Sequence, residues 1–214
     1  AIQSSRGPIE DREAQAAGAR VGAAVAAVGH RPSLPWEFVA VNDPQVNAFA
    51  LPGGKICITR GLLSRMESED GMAAVLGHEI GHVTARHSVS AYNRQILATG
   101  ALMIGGMYME AKDVKNRELI SLAAVIGAQA FMAYYSREQE RQADDLGITY
   151  GVAAGYSPMG MIETHRVLVS LSQQRPNAIE RMFASHPMSS ERLATAERRV
   201  ASLPADVQSR PLKI

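Results

Sequence analysis

One segment constrains this chain more than any other: AAVLGHEIGHVTARH, Ala73 to His87. His78 and His82 stand four residues apart. On a helix that spacing puts both rings on one face, one turn apart. Both can aim a nitrogen at one ion, and zinc bonds imidazole at about 2.0–2.1 Å in a four-place shell, so the pair fills two places. Glu79 follows His78 and lies about 100° further round the helix. There it reaches a water on the metal without taking a metal position. Gly77 and Gly81 each precede a histidine. Glycine inside a helix costs about 1 kcal/mol against alanine, and close approach of a second helix is the expected compensation.

A catalytic zinc site needs a third protein ligand and one open place. The pattern HExxHxxGxxH would supply that ligand in the same segment. It requires glycine at position 85 and histidine at position 88, where this chain has Ala85 and Ser88. His87 lies nine residues beyond His78, about 180° round a continuous helix. It is therefore expected to be an exposed helix histidine. The other solution is a glutamate on a second helix, and SREQERQADDLG offers Glu138 and Glu140. Glu140 has Asp144 one turn later, a carboxylate placed to accept the second ring N–H of a ligating histidine and so fix its tautomer. Glu138 has only Gln142 at the matching place, and Asp145 faces elsewhere. The expected set is His78, His82 and Glu140 on one Zn2+ per chain, with Asp144 behind them. Such an ion acidifies water and polarises a carbonyl. Glu79 takes the water's proton and passes it to the leaving amine. The reaction expected is peptide-bond hydrolysis.

The rest of the chain frames this site. Its 214 residues are 46% hydrophobic, enough for one domain with a substantial core. Net charge is +1 and no basic block stands out, so nucleic acid is not an expected partner. The lone Cys57 excludes an intrachain disulfide and reads as a small buried strand residue. No basic, apolar leader is visible at Ala1.

Residues 10–28 read as a helix and 36–43 as a strand. Residues 47–59 read as two strands around a Pro-Gly-Gly turn. A helix begins near Ser68 and runs through the histidines to about His87. Residues 96–109 and 119–135 form an apolar helical hairpin, each arm shorter than the ~20 residues a membrane span needs. It is expected either to be buried or to cover the cleft or touch a membrane surface. Helices follow over 136–155, from Ser157, over a short stretch before His186–Pro187, and from about Ser189. The order predicts a mostly helical α+β class with a small sheet, in a single unit over 1–214. His30 is expected at a helix end and His165 at an ordinary helix position.

Four blocks, NAFALPGG, HEIGH, EQERQAD and SHP…ER, occur in this order between Trp36 and Arg199. Together they resemble the gluzincin metallopeptidases of the CAAX prenyl endopeptidase, HtpX and BepA type, and are most similar to the soluble periplasmic members. The resemblance implies the same ligands, His78, His82 and Glu140, and the same base, Glu79. It implies that Asn47, Ala48, Phe49 and Ala50 form an edge strand by the cleft, where a substrate strand pairs by β-augmentation. It implies that His186 lies near the metal, either donating to an oxyanion or occupying zinc's fourth place in a self-inhibited resting form. Cys57 stands where relatives often look aromatic. The implied setting is the bacterial periplasm or envelope, with unfolded or misassembled proteins as substrates and a membrane-surface contact through 96–135. The rival readings are a zinc-containing chaperone-like or binding module, and a membrane-associated helical protein with an accidental HExxH.

Overall fold

The computed structural model describes residues 7–51, 53–111, 135–174, 182, 186 and 190–214. The elements, in chain order, are α1 (Arg12–Ala27), β1 (Glu37–Val41), β2 (Ala48–Leu51), β3 (Lys55–Thr59), α2 (Arg60–Leu63), α3 (Glu69–Thr84), α4 (His87–Ala111), α5 (Arg137–Ala153), α6 (Met159–Gln174), α7 (Ser190–Ala201) and α8 (Ala205–Gln208). The class is α+β and mostly helical, as expected. The linker after Ala111, most of the second apolar arm, and all but Met182 of the segment at 175–185, where a short helix is expected, lie outside the described residues.

The sheet has three strands in the order β1-β3-β2. β3 pairs parallel with β1 and antiparallel with β2. The β2–β3 turn uses Gly53 and Gly54 at φ of 92° and 93°, a region open to glycine at little cost. β3 is buried from Ile56 to Thr59, as a central strand should be. Cys57 is buried in it, and burial pushes its thiol up. β2 is an edge strand and packs against α3.

α3 starts where Ser68 accepts a hydrogen bond from the Gly71 N–H, with Glu69 and Asp70 in the first turn favouring its positive end. Every residue from Asp70 to His82 is buried. α1, α5, α6 and the sheet surround it. α5 buries Glu140, Ala143, Asp144, Gly147, Ile148 and Gly151, a three-and-four spacing that lays one face on α3. The two helices meet along glycine. A Cβ at Gly77 would come 3.1 Å from the Gly147 Cα, and one at Gly81 would come 3.1 Å from the Ala143 carbonyl oxygen. The expected close approach is therefore present, and it holds the histidines of α3 against the acids of α5.

α3 does not run to His87. It ends at Thr84, and Arg86 adopts φ 58° before α4 begins at His87. A left-handed residue between two helices reverses the local path, so rotation counted along one continuous helix does not carry across it.

Candidate metal centre

His78, His82, Glu140 and His186 are all buried, and their ligand-type atoms lie within 4.8 Å of one another. His82 Nε2 is 3.0 Å from His78 Nε2, and His78 Nε2 is 3.3 Å from His186 Nδ1. The Glu140 carboxylate lies 3.1 Å from His186 Nδ1, 3.3 Å from His82 Nε2 and 3.5 Å from His78 Nε2. Bonds of about 2.0–2.1 Å to a tetrahedral ion place ligands about 3.3 Å apart, and these separations match that edge. Three imidazoles and a carboxylate are also donors that zinc takes. The residues fit the ion.

Protonation follows the surroundings. Burial pushes His82 well below the usual imidazole range, which keeps it a neutral donor. Burial alone would raise Glu140, but hydrogen bonding to His186 and His82 holds its carboxyl far below the usual range. Burial opposes charge on His186 too, yet the negative Glu79 and Glu140 raise it above its ordinary value. Glu79 is buried beside the cluster, its Oε1 3.5 Å from His186 Nε2.

A layer of polar groups stands behind these. His78 Nδ1–H donates to Asp144 Oδ1 at 2.9 Å, as the Glu140–Asp144 spacing predicts. Asp144 also accepts from Arg192, through Nε at 2.8 Å and Nη2 at 2.7 Å. Arg192 Nη1 lies 2.7 Å from Glu140 Oε2, so one buried guanidinium spans both acids. Burial would raise Asp144, but His165 and Arg192 hold it well below the usual carboxylate range. Arg192 sits in the first turn of α7, whose buried residues Arg192, Ala196 and Val200 share one face. Its role was not read from the sequence. The signal was present: an arginine in the SHP…ER block, spaced like an apolar core residue.

Two expectations for histidines need correction. His87 is not an exposed helix histidine; it is 3% exposed and its Nδ1 lies 2.9 Å from His82 Nδ1. The left-handed Arg86 folds the first turn of α4 back over the end of α3 and brings the ring in. His165 is not an ordinary helix position, being buried with Nε2 3.5 Å from Asp144 Oδ1. The other readings stand geometrically. Glu138 is exposed and pairs with Arg141, and Asp145 pairs with Arg199 away from the centre. His30 sits past the end of α1 and meets the Tyr150 hydroxyl at 2.8 Å. Tyr135 stacks on His82 with ring centroids 4.0 Å apart and bonds Ser88, a second contact unforeseen from sequence.

Asn47 lies just before β2. Its backbone is tied to Thr59: its N–H donates to the Thr59 hydroxyl, and its carbonyl accepts from the Thr59 N–H at 3.0 Å. Asn47 and Ala48 are buried, while Phe49 and Ala50 are half-buried on the edge strand.

A small sheet edge beside a helix carrying HExxH, facing a second helix carrying the acid, defines the metallopeptidase class. The chain belongs to peptidase family M48, whose model matches residues 12–200. It is similar to the mitochondrial metalloendopeptidase OMA1 of Arabidopsis thaliana, 30% identical over 185 residues that make up 86% of this chain and 36% of that protein. It is also similar to the beta-barrel assembly-enhancing protease of Escherichia coli K12, 28% identical over 188 residues, 85% of this chain and 38% of that one. The metalloprotease YcaL of the same strain is 31% identical over 169 residues, 78% and 63% of the two chains. The chain spans about a third to a half of the length of the first of these relatives. None of these names supports a chaperone-like binding module without proteolysis.

Proposed function

We propose that this chain is the catalytic domain of a zinc endopeptidase. His78, His82 and Glu140 hold the ion and Glu79 serves as the general base. The observation that carries this is the convergence of four buried side chains of ligand type, their atoms within 4.8 Å of one another, with a further carboxylate, Glu79, beside them. Zinc, when bound, supplies Lewis acidity toward water and the peptide carbonyl. Glu79 removes the water's proton and returns it to the amine nitrogen as the C–N bond breaks. Asp144 keeps the His78 proton on Nδ1, and Arg192 balances the charge of Glu140 and Asp144. Glu79→Gln keeps the ligands and removes the base. Casein cleavage should fall by about 10²–10⁴-fold while zinc content, measured on the same sample, stays at one per chain. Full activity in that variant would end the mechanism.

His186 is read as the fourth ligand of a resting form. Its Nδ1 faces His78 and Glu140 among the ligand atoms, which favours this over oxyanion donation in the state described. On that reading His186→Ala raises proteolysis with zinc retained; a fall in turnover with zinc retained assigns the ring to the oxyanion instead.

Substrates are read as unfolded or misassembled proteins that pair with the edge of β2. The bacterial envelope is the proposed setting, supported by similarity to the beta-barrel assembly-enhancing proteases; the OMA1 relatives carry a mitochondrial name. Among the described residues no helix is long and apolar enough to cross a membrane. The exposed apolar side chains of α4, Ile96, Leu97, Met103, Ile104, Met107 and Tyr108, support contact with a membrane surface through 96–135. Liposome flotation of the whole chain, with and without Leu97→Gln and Met107→Gln, tests this. Equal flotation of both proteins counts against it.

A further inference from the structure

His78 and His82 face the same centre but are oriented by different chemistry. His78 Nδ1 meets a carboxylate, Asp144. His82 Nδ1 meets a second imidazole, His87 Nδ1, at 2.9 Å, and His87 Nε2 meets Gln142 Oε1 at 2.9 Å. A neutral imidazole donates from one nitrogen and accepts at the other, so the direction of such a chain is decided at its far end. Gln142 Oε1 is a carbonyl oxygen and only accepts. It requires the proton on His87 Nε2, which leaves His87 Nδ1 bare. A bare Nδ1 accepts from His82 Nδ1–H. His82 Nε2 then keeps its lone pair on the side of His78 and Glu140.

We propose that Gln142 and His87 form a relay that sets the tautomer of His82 and so prepares its Nε2 to bind the metal. They are positioning residues: neither faces the centre, and both act through His82. The inference rests on the zinc-site reading above. The opposite direction is chemically available, because the Gln142 amide also carries N–H groups. Donation from Gln142 would put the His87 proton on Nδ1, make His82 Nδ1 the acceptor, and leave a proton on His82 Nε2 where the lone pair is needed. One amide therefore separates a competent from an incompetent ligand. Local structure supports the assignment. Arg86 at φ 58° is what returns His87 to His82, a conformation uncommon for a residue other than glycine. His87 is buried, and Gln142 reaches it from α5, the same helix that carries Glu140 and Asp144.

The test joins ¹⁵N imidazole chemical shifts in chelated protein with zinc affinity from chelator competition. In the wild type, His82 should carry its proton on Nδ1 and His87 on Nε2. His87→Leu removes the acceptor and should weaken zinc binding about 10–100-fold, the usual range for groups behind a ligand. His87→Asn should recover most of that loss, because its amide oxygen occupies about the place of Nδ1. Gln142→Glu offers only an acceptor and should keep both the tautomer and the affinity. Gln142→Lys offers only donors and should move the His82 proton to Nε2 and weaken zinc as His87→Leu does. A role in packing or in charge alone predicts no change of tautomer. The reversed ¹⁵N pattern in the wild type, or an unchanged pattern with equal affinity in the Glu and Lys variants, overturns the relay. A wild type that binds no zinc overturns the zinc-site reading itself, which the chelator competition reports separately.

Discussion

Helices α3 and α4 are consecutive, both rich in apolar and small residues, and their fates differ. α3 is buried along its whole length from Asp70 to His82. α4 exposes Leu97 at 73%, Met103 at 66% and Met107 at 71%. The difference lies in neighbours. α1, α5, α6 and the sheet close round α3, whereas α3 itself is the main neighbour of α4 among the described elements. Glycine marks the contrast. Gly77 and Gly81 of α3 lie against the backbone of α5, while a Cβ at Gly100 or Gly105 of α4 would meet nothing within 4 Å among the described residues. Apolar composition states that a helix can be buried; the surface facing it decides whether it is.

If α3 and α5 form a rigid frame for the metal, its ligands should be intolerant of change. Glu140→Ala should cut zinc affinity by orders of magnitude and leave Arg192 beside a vacated partner, while Glu138→Ala, on the exposed face, leaves it unchanged. Isothermal titration with zinc measures both. Loss of metal from the Glu138 variant alone would reverse the assignment. One layer out, Asp144→Asn should weaken zinc or slow casein cleavage about 10–100-fold, since the amide holds the His78 ring less firmly than a carboxylate does.

The glycine seam sharpens the comparison. Gly81→Val drives a branched side chain into the Ala143 backbone and should destabilise by about 1–3 kcal/mol, seen as a lower thermal midpoint. Gly100→Ala in α4 meets open space among the described residues and should be neutral or stabilising by up to about 1 kcal/mol. Equal losses at both positions would erase the distinction between the helices. The smallest effect belongs to Met103→Gln, a polar change on the exposed face of α4, expected within about 0.5 kcal/mol of the parent. A larger loss would mean that this face is covered in the folded protein.

Much of the site was legible because it is local. His78, His82 and Glu79 need only the pitch of one helix, and Glu140 with Asp144 needs only the pitch of another. Ser68 as a cap, the Pro-Gly-Gly turn and the end of α5 near Gly155 are equally local, each set by backbone preferences within a few residues. His87, Arg192, His165 and Tyr135 were not legible in the same way. His87 was misplaced because one left-handed residue, Arg86, interrupts the helical count. Arg192 and His165 arrive from α7 and α6, and no periodicity within a segment states which acid a distant side chain will meet.

The amino-acid sequence by itself determined the donor types, their spacing on two helices and the glycines that let those helices touch. Helical pitch and the absence of a Cβ act over a single turn, so these features are written locally. The resemblance implied that His186 lies near the metal, but only the tertiary structure decided which atoms its ring meets, that Arg192 spans Glu140 and Asp144, and that His87 stands behind His82. Each of those contacts joins separate helices, and its existence depends on the packing that brings their backbones together.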